Sequence, residues 1–169
     1  MIIDTDFFSS FLKINKLKLI LKSLNITHLI IPSTVYEELK DSLFFNENNH
    51  LFTYDKNNLN GETYVLIKKV NLDNLSKYFN LEKIKKLGDG EKGCFLLTKE
   101  TKDKILIDDK QARRIAKEEN LKVMSITSFL LDCKKRNILS LEEIKQIINE
   151  LKEKDYYEFS EEVNKELLK

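Results

Sequence analysis

The sequence predicts an α/β fold: a parallel sheet carried by β-α-β units, followed by a helical C-terminal extension. Three observations predict it. Short apolar runs of strand length alternate with longer segments whose apolar residues recur at helical spacing, the pattern of strands joined by right-handed helical crossovers. Beyond about Arg136 only the helical pattern continues. And 41% of the 169 residues are hydrophobic, which supplies one buried core and argues against a disordered chain.

The elements follow in order. Met1–Asp4, with Ile2-Ile3, is the first strand candidate, and Phe7–Ile14 and Leu17–Leu24 are helical. Thr27–Ile31 is the second strand. Pro32-Ser33-Thr34 opens a helix over Ser33–Leu43, where Thr34 and Glu37 stand at capping-box spacing. Asn46 to Gly61 carries Asn46, Asn48, Asn49, Asn57, Asn58 and Asn60 and reads as a long loop or hairpin-like insertion. Tyr64–Val70 is the third strand and Asp73–Phe79 a helix. Gly88-Asp89-Gly90 is a turn with Asp89 as its plausible cap, before the helix Gly90–Thr101. Lys104–Ile107 and Leu121–Ser125 are the last strands, each leading into a helix, Asp109–Asn120 and Ser125–Arg136. Ser140-Leu-Glu-Glu143 is a capping box that opens Ser140–Leu151, and Glu158–Leu168 is helical without any strand signal. We expect residues 1–137 to form the α/β domain and 138–169 to pack on it as an extension.

Composition narrows the function classes. No apolar run approaches the ~20 residues of a membrane helix, and the N-terminus has neither basic leader nor apolar stretch, so we expect a cytoplasmic protein without a secretory signal. Cys94 and Cys133 lack metal-ligand spacing and indicate no disulfide framework. With 29 basic and 28 acidic residues the net charge is +1, so any case for nucleic acid has to come from a local site.

That site is suggested by carboxylates. Functional groups of an open parallel sheet collect at the carboxyl ends of its strands. Asp4 ends the first strand and Asp6 follows two positions on; either can cap the next helix or serve a site. Glu38 falls on the stripe of Val35 and Leu39, where a carboxylate is costly unless paired, protonated or bound to a cation. Glu91 lies in a first helical turn near Cys94 and Phe95, where the helix macrodipole also favours an acid. Asp108-Asp109 follows a strand, and two adjacent acids exceed what one cap needs. Four carboxylates at one sheet end repel unless cations lie among them, and oxygen-rich sites suit Mg²⁺ or Mn²⁺. The chemistry this implies is metal-assisted hydrolysis of a phosphodiester or phosphate ester. Lys92, Lys110, Arg113 and Arg114 are candidates for phosphate contacts, or else solvated helix faces; the planar fork of arginine favours the Arg pair. His28 and His50 have no partner pattern, Cys94 reads as core, and Tyr156-Tyr157 either stacks a base or packs the tail.

These residues carry a resemblance. Ile2-Ile3-Asp4-Thr5-Asp6, Val35-Tyr36-Glu37-Glu38-Leu39, Gly88-Asp89-Gly90-Glu91 and Leu106-Ile107-Asp108-Asp109, continuing to Ala112-Arg113, occur in an order that resembles the PIN-domain nucleases. More narrowly, the Gly-Glu third motif and the Asp-Asp-x-x-Ala-Arg fourth motif are similar to those of the prokaryotic VapC-type toxin ribonucleases. The resemblance covers residues 1–130, and the ending through Lys134-Lys135-Arg136-Asn137 also looks like that subgroup. It implies a PIN-like three-layer α/β/α sandwich around about five parallel strands, and Mg²⁺- or Mn²⁺-dependent endoribonuclease activity. Asp4, Glu38 and Glu91 take the first three acidic positions and Asp109 or Asp108 the fourth; Asp6, where the family often has Asn or Ser, could help hold a second metal. Lys92-Gly93-Cys94-Phe95 and the Asn-rich insertion depart from the family pattern. The resemblance further implies an RNA substrate, a homodimer and a small antitoxin partner.

Two other readings compete. Asp4-Thr5-Asp6 also resembles the opening of haloacid-dehalogenase-like phosphatases, although no Gly-Thr or Thr-Val follows the second Asp and no Gly-Asp-x-x-x-Asp appears later. The chain could also be a non-catalytic PIN-fold interaction module whose helical tail binds a partner.

Overall fold

Ile2 and Ile3 are fully buried and form β1 (Ile2–Ile3), an inner strand of the sheet. The structure, a computed structural model, describes residues 1–169. After β1 come α1 (Thr5–Lys13), α2 (Leu17–Leu24), β2 (Leu29–Pro32), α3 (Ser33–Lys40), α4 (Phe45–Asn48), β3 (Phe52–Thr53), β4 (Val65–Lys68) and α5 (Leu81–Ile84). The second half contributes α6 (Asp89–Thr101), β5 (Ile105–Leu106), α7 (Lys110–Glu118), β6 (Val123–Met124), α8 (Ile126–Lys135), α9 (Leu141–Asp155) and α10 (Glu161–Leu168). All six strands are parallel, in the order β3-β4-β2-β1-β5-β6. Burial on both faces explains why β1, β4 and β5 read as unbroken apolar runs rather than alternating ones.

The register places Ile2 beside Ile30 on one side and Ile105 on the other, with Ile3 opposite Leu106. Helices cover the sheet, as the α/β/α prediction requires. Under α1, Phe7 and Phe11 stack at 5.2 Å and Phe129 of α8 meets Phe11 edge-on at 5.4 Å, so aromatic packing fixes α1, and with it the end of β1.

Four local expectations change. The Asn-rich insertion supplies a sixth strand, because Phe52 and Thr53 pair with Val65 and Leu66 of β4. Two residues are too few to show a periodicity amid polar neighbours. Residues Leu72–Lys77 form a 3-10 helix rather than an α-helix, opened by the Asn71 side chain, which accepts from the Asp73 N–H. The Thr34–Glu37 capping box does not form: Pro32 takes the cap position two residues before Thr34, and Glu37 pairs with Lys40 at 2.6 Å. At α6 the cap is Gly88 rather than Asp89, which instead meets Lys92 at 3.3 Å.

The Ser140–Glu143 capping box forms as expected. α9 lies against α1, and α10 against α8 and α9. Ile144, Ile147, Leu151 and Leu167 belong to the same apolar core as the sheet. Lys13 and Ser10 of α1 bind Asp155 at 2.6 and 2.5 Å, which ties the end of α9 to the C-terminal half of α1. No helix is long and apolar enough to cross a membrane.

Candidate active site

The chain leaves β1 for β2 on one side and returns with β5 on the other, so the strand order reverses beside β1. A crevice opens at such a reversal, beyond the carboxyl ends of the strands. Asp4 follows β1 there, and its backbone N–H donates to Leu106 of β5 at 3.0 Å. Asp108 and Asp109 follow β5 two and three residues later.

Asp4 is 3% exposed, and its Oδ1 accepts the Phe7 N–H at 3.0 Å, capping α1. The capping alternative is thus realised, and it uses only one of the two carboxylate oxygens. Burial pushes the Asp4 carboxyl well above the ordinary range; the Phe7 hydrogen bond opposes this, and the charges of Asp6, Glu91 and Asp108 add to it.

Glu38 is exposed, not buried with Val35 and Leu39. Its carboxylate lies along the surface, where Oε1 accepts the Gly90 N–H at 2.8 Å and Oε2 accepts the Thr5 hydroxyl. A Cβ on residue 90 would stand 2.5 Å from Oε2 and 2.6 Å from Oε1, so only glycine admits Glu38 at the N-terminus of α6. Through Thr5 and Gly90, Glu38 joins the neighbours of Asp4 and Glu91.

Glu91 is half-buried and its Oε2 accepts the Gly88 N–H at 2.7 Å. Burial raises its pKa, the Gly88 bond opposes the rise, and Asp109, Asp6 and Glu38 reinforce it. Asp109 caps α7, with Oδ1 accepting the Ala112 N–H at 2.6 Å. Asp108 is engaged at both oxygens, by the Ile126 N–H at 2.9 Å and the Tyr157 hydroxyl at 2.7 Å. The Asp6 carboxyl is raised by burial and then by Asp109, Asp155, Glu38 and Asp108. Acids from α1, α3, α6, α9 and the connections after β1 and β5 thus contribute to raising the Asp4, Asp6 and Glu91 carboxyls.

Asp6, Asp108, Asp109, Asp155, Lys13 and Lys110 line a cleft of about 310 Å³. A larger cavity of about 660 Å³, with Lys18, His50 and Tyr64, contains none of the predicted acids. Of the cationic candidates, Lys110 lines the acidic cleft, while Lys92 pairs with Asp89 and Arg114 with Glu118. Arg113 is half-buried, its Nε has no partner, and its charge acts on Tyr157. His28 bonds Thr27 at 2.9 Å, and Cys94 is buried against the Ile3 carbonyl.

No three His, Cys, Asp or Glu side chains are gathered into a formed metal cage. Asp4, Glu91 and Asp109 each commit one oxygen to a helix N-terminus. Their second oxygens, and both of Asp6, take no hydrogen bond; Asp4 is the buried one among them, and a buried carboxylate gains from a cation. Hard carboxylate oxygens fit a magnesium-like ion, so the donor set suits one.

Sequence reasoning missed Thr5, Gly90, Ser10, Lys13 and Asp155. Asp155 left one trace: an acid at a helix C-terminus opposes the macrodipole and needs a partner, which Lys13 and Ser10 supply. Tyr157 was noticed as aromatic, but its hydroxyl bond to Asp108 spans 49 residues and leaves no local signal.

A family model described as a PIN domain matches residues 1–169. No curated protein and no solved structure matches the chain.

Proposed function

The chain belongs to the PIN-domain family, and from that premise we propose that it is an Mg²⁺- or Mn²⁺-dependent endoribonuclease hydrolysing RNA phosphodiester bonds. Membership supports a nuclease-type function in general; the ion and the RNA are our reading. The observation that carries it is geometric: Asp4, Glu91 and Asp109 are each fixed on a helix N-terminus with one oxygen left over, and Glu38 is tied between Asp4's and Glu91's neighbours. Burial and neighbouring charge raise the Asp4, Asp6 and Glu91 carboxyls.

Asp4, Glu38, Glu91 and Asp109 would hold the ion, with Asp6 beside them. When bound, such an ion makes a water more acidic and steadies the leaving oxygen. The helix N-termini fix three of these carboxylates without using their second oxygens. Glu38's partners sit at the solvent edge, and each such bond is worth only about 1 kcal/mol net, so they can be exchanged. Asp108, bonded to α8 and to Tyr157, acts on this reading as a strut. Lys110 sets positive charge in the cleft for a phosphate, whereas Lys13 is held by Asp155. The finer reading is a toxin of a toxin–antitoxin pair, acting as a homodimer silenced by a small antitoxin; it rests on the Gly88–Glu91 and Asp108–Arg113 motifs.

The test is cleavage of end-labelled single-stranded RNA by the purified chain with Mg²⁺, Mn²⁺ or EDTA, beside a small phosphomonoester. Cleavage that needs the ion and disappears in Asp109→Asn supports the reading. Hydrolysis of the monoester alone, lost in Asp4→Asn, points to a phosphatase instead, and RNA cleavage that persists in EDTA rejects the metal.

A further inference from the structure

The Asn-rich insertion folds over α3 and leaves a surface that the acidic site does not use. Phe52 of β3 and Phe45 of α4 stack at 5.7 Å, and Tyr36 of α3 meets both edge-on at 5.5 Å. Tyr54, just past β3, meets Tyr36 edge-on at 5.8 Å and is 50% exposed. Two cations stand over the outer rings: Lys40 Nζ lies 5.5 Å from the Tyr36 centroid and Lys69 Nζ 6.0 Å from that of Tyr54. Lys40 also pairs with Glu37, whereas Lys69 forms no ion pair. Tyr36, Phe45 and Phe52 are half-buried and pack against the core, whereas half of Tyr54's surface faces solvent.

We propose that the Tyr36–Tyr54 surface is a stacking platform for the bases of single-stranded RNA, with Lys69 and Lys40 contacting its phosphates. The proposal deepens the nuclease reading and rests on it for the identity of the polymer. Aromatic faces accept any base, and an ammonium that stands over a ring in the free protein can turn to the phosphate of a nucleotide whose base takes that face. A duplex hides its base faces and would not fit. α3 carries Tyr36 on one flank and Glu38 on the other, so one short helix links the platform to the acidic site.

The chain has 6 Tyr and no Trp, so tyrosine emission is not masked by tryptophan, and the part of the quenching that Tyr54→Ala removes reports on stacking. The experiment titrates the metal-free full chain with a fluorescein-labelled 12-nucleotide oligoadenylate, reading anisotropy, and with the unlabelled oligomer, reading tyrosine emission. We expect quenching on binding, a Kd weakened about tenfold by Tyr54→Ala and retained in Tyr54→Phe. Lys69→Glu, which leaves every ring in place, weakens binding and flattens its salt dependence. Equal Kd values for wild type, Tyr54→Ala and Lys69→Glu overturn the platform, as does tighter binding of duplex than of single strand or no binding at all. Failure of the nuclease reading looks different: Tyr54-dependent binding would persist while ion-dependent cleavage is absent.

Discussion

Glu38 of α3 accepts the backbone N–H of Gly90 at the N-terminus of α6 at 2.8 Å, and its other oxygen accepts the Thr5 hydroxyl beside Asp4. One exposed carboxylate thereby spans the space between two elements that each carry a predicted site acid. The bond exists only because residue 90 lacks a Cβ.

Gly90→Ala is therefore expected to push Glu38 away from α6. The atoms in the way are the far end of an exposed, flexible side chain that can swing aside, so Tm changes little. RNA cleavage falls, because Glu38 leaves its place beside the other acids. Glu38→Gln keeps the Gly90 N–H bond and the fold, so its Tm stays within a degree or two while cleavage drops at least tenfold. A thermal melt alongside a cleavage assay reads both.

Asp4→Asn separates stability from activity. Burial raises the folded-state pKa of Asp4 above its unfolded value. A raised carboxyl favours folding while it is protonated, and that contribution is lost as pH rises through the folded pKa. Metal-free protein should therefore lose stability as pH climbs from about 4 toward neutrality. Asn retains an Oδ1 to cap α1 and carries no charge, so in EDTA at pH 7 the variant melts higher than wild type, with the difference shrinking at acid pH. It cleaves no RNA. Melts in EDTA across pH check the sign; a lower Tm at pH 7 contradicts it.

Tyr157→Phe removes the hydroxyl that reaches Asp108. A part-buried carboxylate losing one donor costs about 1–3 kcal/mol. Because Asp108 keeps the Ile126 N–H, the fold survives, and cleavage falls severalfold through the neighbouring Asp109. Kinetics should show kcat lowered with KM little changed.

Removing residues 140–169 is expected to prevent stable folding. Ile144, Leu151 and Leu167 are fully buried and Ile147 is 1% exposed. At about 1.5–3 kcal/mol each, their loss approaches the whole stability of a typical domain. Expression of residues 1–139 should give aggregated protein by size-exclusion chromatography.

Much of this fold is legible in the sequence because it is written locally. Strand cores such as Leu29–Ile31 and Val65–Ile67 are apolar runs, and Ser140–Glu143 announces its helix through side chains three residues apart. Asp4 and Asp109 are legible for the same reason, since a strand-end acid before a helix is a local pattern. What the sequence hides is contact at a distance. Phe52–Thr53 becomes a strand only because β4 is there to pair with it. Glu38 reads as inward from its spacing, yet it lies outside and reaches Gly90 across 52 residues. Thr34 loses its capping role when Pro32, with its fixed φ, takes the position first. Asp155 and Tyr157 join the cleft through α9, whose docking on α1 no short-range pattern records.

The central claim is that these carboxylates bind a divalent ion together, and calorimetric titration with Mn²⁺ tests it most directly. The account predicts saturable uptake by the wild-type chain that is abolished in a folded Asp4→Asn, Asp109→Asn double variant. Equal uptake by both proteins, or none by the wild type, contradicts it.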